Sequence, residues 1–317
     1  MSPHGADQPR ASVPLVMGHR GALYAAPENT LESFMTCAQM GADSVEFDIW
    51  TSKDGHLVVV HGETSPDGTR KGMLCGMMDV SQLEASPTSR HHFVEDLTWA
   101  ELSGLRFQPN LKIKLPCPEA QVAVSTGIPL LRHVLEMCKK TGMRPTCELK
   151  GLDTAHATVE LLEELQMTDV ATISSFHHNL LVQTKQANPS IRTAALYEGV
   201  LQEDFIAQAK SVGADEVDLC WMHVLDQPQV VKQAHDAGLL VMAWFNGPRT
   251  MPVPETAELY ARVANTGLDA MCVNHPALLV QVLKDMWPPA IQTATAHAAD
   301  ADLTHEFVSR HAVLAEV

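Results

Sequence analysis

Glu46 and Asp48 stand two residues apart in the run SVEFDI, and Glu148 and Lys150 stand two apart in CELK. Residues i and i+2 share one face of a pleated strand, so each run would deliver its charged pair to a single side. Two carboxylates pointing into a barrel cannot both stay ionised cheaply unless a cation lies between them. One hard divalent cation, Mg2+ or Ca2+, suits such oxygen donors. Glu148 would add a third carboxylate. Lys150 would supply a fixed positive charge for a phosphate oxygen, or else a partner for Glu148. His19 closes the first apolar run and His61 closes HLVVVHG. Imidazoles titrate near neutrality, so two of them flanking a bound ester could act as general base and general acid. Arg20, beside His19, offers the forked donor that suits a phosphate.

These residues need a scaffold that gathers strand ends. Apolar or β-branched runs occur at Pro14 to Gly18, Ser44 to Ile49, Arg144 to Lys150, Val170 to Ser175, Arg192 to Leu196, Glu216 to Trp221, Leu239 to Phe245 and Ala270 to Asn274. Stretches of helical periodicity lie between them: Thr30 to Met40, Leu130 to Lys140, Thr154 to Leu165, Asn179 to Ala187, Glu203 to Ser211, Pro228 to Ala237, Glu255 to Asn265 and Ala277 to Trp287. Gly41, Gly142, Gly213, Gly238 and Gly267 follow helices where a left-handed residue is expected. Eight such units, with no GxGxxG turn, read as an α/β protein of the (β/α)8 TIM-barrel type, whose sites form at the carboxyl ends of its strands. An N-terminal arm is expected over 1–12, a single barrel domain over 13–287 and a tail over 288–317. An insertion after the second strand, about 62–128, is preceded by a β excursion at Gly55 to His61 and contains a short helix capped by Thr98 and Glu101.

Composition narrows the function classes. The chain has 317 residues, with 45% hydrophobic and 19% charged positions, and a net charge of −16 that repels nucleic acid and anionic membrane surfaces. An anionic substrate would therefore need a local cationic site. No integral membrane segment and no signal-like apolar stretch stand out, so a cytoplasmic location is expected. The seven cysteines lack CxxC spacing and read as buried thiols. The oligomeric state is not legible.

The motifs resemble a known family, the glycerophosphodiester phosphodiesterases. HRG at 19–21, PENT at 27–30, E-x-D at 46–48, the histidine at 61 and ELK at 148–150 follow that family's order and spacing, with ISSF, AWFN and VNHP further on. The resemblance spans about residues 14–287. It implies a barrel with a small insertion and metal-assisted hydrolysis of a small-molecule glycerophosphodiester, a deacylated phospholipid, to an alcohol and glycerol 3-phosphate. Residue by residue, it implies Glu46, Asp48 and Glu148 as metal ligands, His19 and His61 as the acid/base pair, and Arg20 and Lys150 as phosphate contacts. A lysophospholipase D-like activity on lysolipids and a non-catalytic phosphate-binding barrel are the alternatives.

The sequence departs from that pattern once. Where the family shows His-Asp, this chain has His61-Gly62-Glu63. Glu63 is one position removed, and a one-residue shift re-aims a side chain. Gly21 is expected to allow close backbone approach to a ligand, Asn29 to cap the first helix with Glu32 three residues on, and Glu28 to touch the site. Trp244 and Phe176 read as either pocket or core. MLCGMM at 73–78 is either the core of the insertion or an apolar patch for a lysolipid.

Overall fold

The structure is a computed structural model that describes residues 13–65, 68–74, 77–81, 83, 92–107, 127–247 and 250–288. The expected arm, the tail beyond Pro288, Cys75, Cys117 and His91 lie outside the described residues. Eleven strands occur among those described: β1 Leu15–Gly18, β2 Ser44–Thr51, β3 Leu57–Val59, β4 Met78–Asp79, β5 Arg106–Phe107, β6 Arg144–Leu149, β7 Thr172–Ser175, β8 Arg192–Tyr197, β9 Glu216–Cys220, β10 Leu240–Trp244 and β11 Ala270–Val273. Eight of them run parallel in the order β1, β11, β10, β9, β8, β7, β6, β2, and β1 also pairs with β2. That last pairing closes the barrel. Helices α1 Leu31–Gln39, α3 Leu131–Thr141, α4 Ala155–Glu164, α5 His178–Ala187, α6 Phe205–Ser211, α8 Gln229–Asp236 and α9 Ala257–Ala264 lie between barrel strands, and α10 Pro276–Met286 follows β11. Short α2 Trp99–Gly104 belongs to the insertion, and α7 Trp221–Asp226 directly follows β9.

Strand alternation decides what points where. On β2, Val45, Phe47 and Ile49 are fully buried in the large core shared with the helices. The alternate residues Glu46 and Asp48 are buried too, but on the other face. On β6, Cys147 and Leu149 join the helix-side core while Glu148 does not. Inside the barrel a small apolar layer forms from Met17, Met242, Ala270 and Cys272. Each fully buried Leu, Ile or Phe on the outer layer contributes roughly 1.5–3 kcal/mol, so that layer holds the barrel shut. All five expected helix-terminal glycines adopt positive φ, between 71° and 83°.

The insertion between β2 and α3 carries a core of its own. β3 folds back antiparallel on β2, β4 pairs with β5, and Trp50, Leu74, Met77, Met78, Val94 and Leu102 pack together. Met73 is 8% exposed and Leu74, Met77 and Met78 are fully buried, so the described part of MLCGMM is core. Thr98 and Glu101 form the expected capping box.

Candidate active site

The site lies at the carboxyl ends of the barrel strands. His19 follows β1, Lys150 follows β6, Phe176 follows β7, Glu198 follows β8, and Trp244 ends β10. These residues and Arg20, Glu46, His61 and Glu148 line one cavity of about 430 Å³.

Register across the sheet brings the carboxylates together. Asp48 pairs with Glu148 along the β2–β6 ladder, and Glu46 sits two residues earlier on the same face. One oxygen from each of Glu46, Asp48 and Glu148 lies within 4.8 Å of the others, and all three residues are buried. Among the described residues the Oε1 atom of Glu46 is buried without a hydrogen-bond donor, and its Oε2 accepts from the Arg20 backbone N–H at 2.9 Å. Burial first, then the neighbouring Asp48 and Glu148 charges, push the Glu46 carboxyl well above the ordinary carboxylate range. Burial would do the same to Asp48, but Lys150 and then Arg20 overcome it and hold Asp48 well below that range. Glu148 is raised by burial despite its contact with Lys150. An oxygen-lined cluster with one acceptor left bare and one carboxylate held ionised fits a hard divalent cation.

Two cations brace the cluster. Lys150 Nζ lies 3.2 Å from Asp48 Oδ1 and 2.5 Å from Glu148 Oε1. Lys150 thus pairs with two carboxylates rather than with Glu148 alone. Arg20 reaches Asp48 Oδ2 at 3.3 Å through Nε and Glu28 Oε1 at 3.1 Å through Nη1. Glu28 therefore bears on the site through Arg20.

Both histidines line the same cavity as the cluster. His19 Nδ1 lies 2.8 Å from Asn274 Oδ1. Asn274 donates from Nδ2 to the Asn246 carbonyl at 2.7 Å and to Glu255 Oε1 at 2.5 Å. Two acceptors fix the amide orientation, so Asn274 presents its oxygen to His19 and Nδ1 must carry the proton. The lone pair of His19 is then on Nε2. Burial first, then Arg20, lower the His19 pKa to about 3, which keeps the ring neutral. His61 is likewise pushed well below its ordinary value by burial and Arg20, and its Nδ1 has no hydrogen-bond partner among the described residues. Its backbone carbonyl accepts from Trp50 Nε1 at 3.2 Å, which ties the end of the β excursion to β2.

Two expectations require correction. Asn29 does not cap α1: Thr30 does, accepting from Ser33 N at 3.1 Å. Asn29 instead takes φ 57° and clamps Asp48, donating from Nδ2 to Oδ2 at 2.8 Å and accepting from the Asp48 backbone at 3.2 Å. Gly21, at φ 95°, makes its close approach to α1 rather than to a ligand, since a Cβ there would lie 2.3 Å from Ser33 Oγ. Glu63 pairs through its backbone with Met73 and is not among the residues lining the cavity.

Gly62 explains that departure physically. At φ 65° it lines the cavity, and a Cβ on it would meet the Gly72 Cα at 2.5 Å. The strand pairing of residues 63 and 73 brings the two backbones too close for any side chain at position 62. Trp244 and Phe176 both line the cavity and meet edge to face at 5.8 Å, with Lys150 Nζ 5.5 Å from the Phe176 ring centre. Sequence reasoning missed Asn274, Asn29 and Asp218 as site residues. VNHP and PENT, which contain the two asparagines, were the available signals; Asp218 offered only its alternation with Glu216.

A closed parallel barrel with an acidic cluster and two histidines at its mouth defines an enzyme of the barrel phosphodiesterase class. The glycerophosphoryl diester phosphodiesterase family model matches residues 19–278, and the chain belongs to that family. Glycerophosphodiester phosphodiesterase of Caldanaerobacter subterraneus is 26% identical over 275 residues, covering 85% of this chain and 98% of that protein. Among solved structures, an Oleispira antarctica phosphodiesterase in complex with the product sn-glycerol-3-phosphate superposes with a TM-score of 0.66 at 23% identity, covering 86% of this chain and 97% of that one. Glycerophosphodiester phosphodiesterase of Agrobacterium tumefaciens gives 0.63 at 20% identity, covering 84% and 99%. The chain is thus a phosphodiesterase. Among the described residues, no helix is long and apolar enough to cross a membrane.

Proposed function

We propose that this phosphodiesterase hydrolyses glycerophosphodiesters to an alcohol and glycerol 3-phosphate, with one divalent cation, Mg2+ or Ca2+, held by Glu46, Asp48 and Glu148. The observation that carries the reading is the convergence of three buried carboxylates, with Glu46 Oε1 lacking a donor among the described residues, in a cavity that His19 and His61 also line. The bound product named for the Oleispira antarctica relative supports the substrate class.

When bound, the cation supplies charge neutralisation for the phosphate oxygens and for the negative charge that builds up at phosphorus. Arg20 and Lys150, both facing the cavity, hold the phosphate from the sides. Glu28 and Asp48 aim the Arg20 fork, so its position costs little on substrate binding. His19, with its proton fixed on Nδ1 by Asn274, presents the Nε2 lone pair and is suited to take the proton of the attacking hydroxyl. His61, which lines the same cavity, is suited to protonate the departing alcohol, and an anionic diester beside it favours its charged form.

The test is hydrolysis of glycerophosphocholine, glycerophosphoethanolamine and glycerophosphoinositol by chelated protein, with Mg2+ or Ca2+ then restored. Release of glycerol 3-phosphate should vanish on chelation and return with the ion. Turnover that ignores the chelator, or no turnover of any of the three under any ion, would refute this reading.

A further inference from the structure

Glu255 takes no part in the chemistry described so far, yet four donors converge on its carboxyl group. Oε1 accepts from Asn274 Nδ2 at 2.5 Å and from the Tyr24 hydroxyl at 3.3 Å. Oε2 accepts from the Asn274 backbone N–H at 3.2 Å and from the Tyr260 hydroxyl. An ionised carboxylate offers acceptor sites alone and takes all four bonds, whereas a protonated one would set a hydrogen among the donors. Burial raises the Glu255 pKa, and the bonds from Tyr260 and Asn274 oppose that rise. The form these donors select is the anion.

The strand order explains how one side chain reaches so far. β10 and β1 both pair with β11, so the segments that follow these three strands are neighbours at the mouth of the barrel. Tyr24 lies in the loop after β1, Glu255 in the loop after β10, and Asn274 directly after β11. A tie between loops would need no more than these bonds. The placement of Asn274 goes further. Its Nδ2 gives hydrogens to Glu255 and to the Asn246 carbonyl, while its Oδ1 faces His19 Nδ1 at 2.8 Å. Asn274 is fully buried, and in such surroundings a chain of hydrogen bonds polarises each member along its length. A negative charge at Glu255 therefore makes Asn274 Oδ1 a stronger acceptor toward the ring.

We propose that Glu255 is a positioning residue for the hydrolytic step, an anion whose charge reaches His19 through Asn274. This rests on the reading above, in which His19 takes the proton of the attacking hydroxyl. When Nε2 accepts that proton, the O–H bond breaks, an N–H bond forms and the ring becomes a cation. The proton on Nδ1 stays in place, and its bond to Asn274 Oδ1 strengthens once the donor is charged. Glu255 remains ionised throughout and lowers the energy of the imidazolium from two hydrogen bonds away. No proton passes to Asn274 or to Glu255. The carboxylate also forbids the reversed amide, because it has no hydrogen to give to Asn274 Oδ1.

The test is Glu255→Gln, which keeps the shape and removes the charge. In the full chain with Mg2+, kcat for glycerophosphocholine should fall about tenfold or more while KM changes by less than about threefold. In the same protein without substrate, the NMR resonance of the His19 Nδ1 proton should move upfield as its bond to Asn274 weakens. Tyr260→Phe, which cuts a tie to α9 but leaves the charge on Asn274, should cost less in kcat than Glu255→Gln and move that resonance less. An unchanged kcat or an unmoved Nδ1 proton in Glu255→Gln would overturn the proposal. So would an equal loss in Tyr260→Phe, which would make Glu255 a tie between loops alone. A native ring that carries its proton on Nε2 would overturn it without any variant. If no glycerophosphodiester is hydrolysed but the resonance moves, the link from Glu255 to His19 stands and the hydrolytic reading falls. If hydrolysis proceeds and neither kcat nor the resonance responds, only the assignment of Glu255 falls.

Discussion

His19 Nδ1 sits 2.8 Å from Asn274 Oδ1, and Asn274 is itself pinned by Glu255 and the Asn246 carbonyl. Glu255 also accepts from the hydroxyls of Tyr24 and Tyr260. The chain of bonds runs from the loop before α9, through the end of β11, to the residue that follows β1. Its effect is to decide which ring nitrogen of His19 is protonated.

Replacing Asn274 by alanine removes that decision while leaving His19 in place. The expected result is a fall in kcat of about tenfold to a hundredfold, part of the 10²–10⁴ usually attributed to acid–base catalysis, with KM changed little. Steady-state kinetics measure the fall, and ¹⁵N chemical shifts of the His19 ring report the loss of a single tautomer. An unaltered kcat would mean that the tautomer does not limit the reaction.

Burial of His19 in neutral form has a consequence for stability. The folded ring stays unprotonated down to about pH 3, whereas in the unfolded chain it takes up a proton below about 6.5. Between those values the unfolded state binds more protons, so stability falls as pH drops. His19→Gln should lose less stability than the native chain between pH 6.5 and 4 in urea unfolding. Parallel curves for the two proteins would show that His19 is not held neutral.

Glu46 carries the bare oxygen and is the ligand least favoured as an anion without a cation. Glu46→Gln should match or exceed the native chain in thermal stability when metal is absent. It should also lose the stabilisation that Mg2+ or Ca2+ confers on the native protein, about 2.7 kcal/mol at a hundredfold excess over Kd. A thermal shift by the ion that survives in Glu46→Gln would place the cation elsewhere.

Restoring the family's aspartate at Gly62 should do harm. A side chain there combines positive φ with a 2.5 Å approach to Gly72 Cα. Gly62→Asp is expected to cost about 2 kcal/mol or more in urea unfolding and to lower activity. A gain in activity at unchanged stability would show that the segment around Gly72 yields easily.

The eight barrel strands, the helices between them and the charged residues of the cluster were legible because they are written locally, whereas α7 and the two-residue strands β4 and β5 were not. Alternation in SVEFDI and CELK states which side chains share a face, and glycines mark where helices end. The insertion's capping box could be read from four consecutive residues. Cross-sheet relations were not legible. Lys150 reaches Asp48 only because β2 and β6 are neighbours in one register, and Asn274 meets His19 only because β11 closes against β1. Asn29 satisfied the rule for a helix cap, yet Thr30 satisfied it too, and the competing demand of Asp48 for a donor decided between them. Gly21 and Gly62 were recognisable as positions that need glycine. What crowds them, Ser33 and Gly72, lies in segments whose docking no local pattern describes.

The most direct test of the central claim is the location of the cation. A crystal soaked in Mn2+, which takes the same oxygen donors, can be measured at its absorption edge. An anomalous peak among the carboxylates of Glu46, Asp48 and Glu148, within reach of both His19 and His61, is the predicted result. A peak bound elsewhere in the molecule, with the three carboxyl groups left unligated, would contradict it.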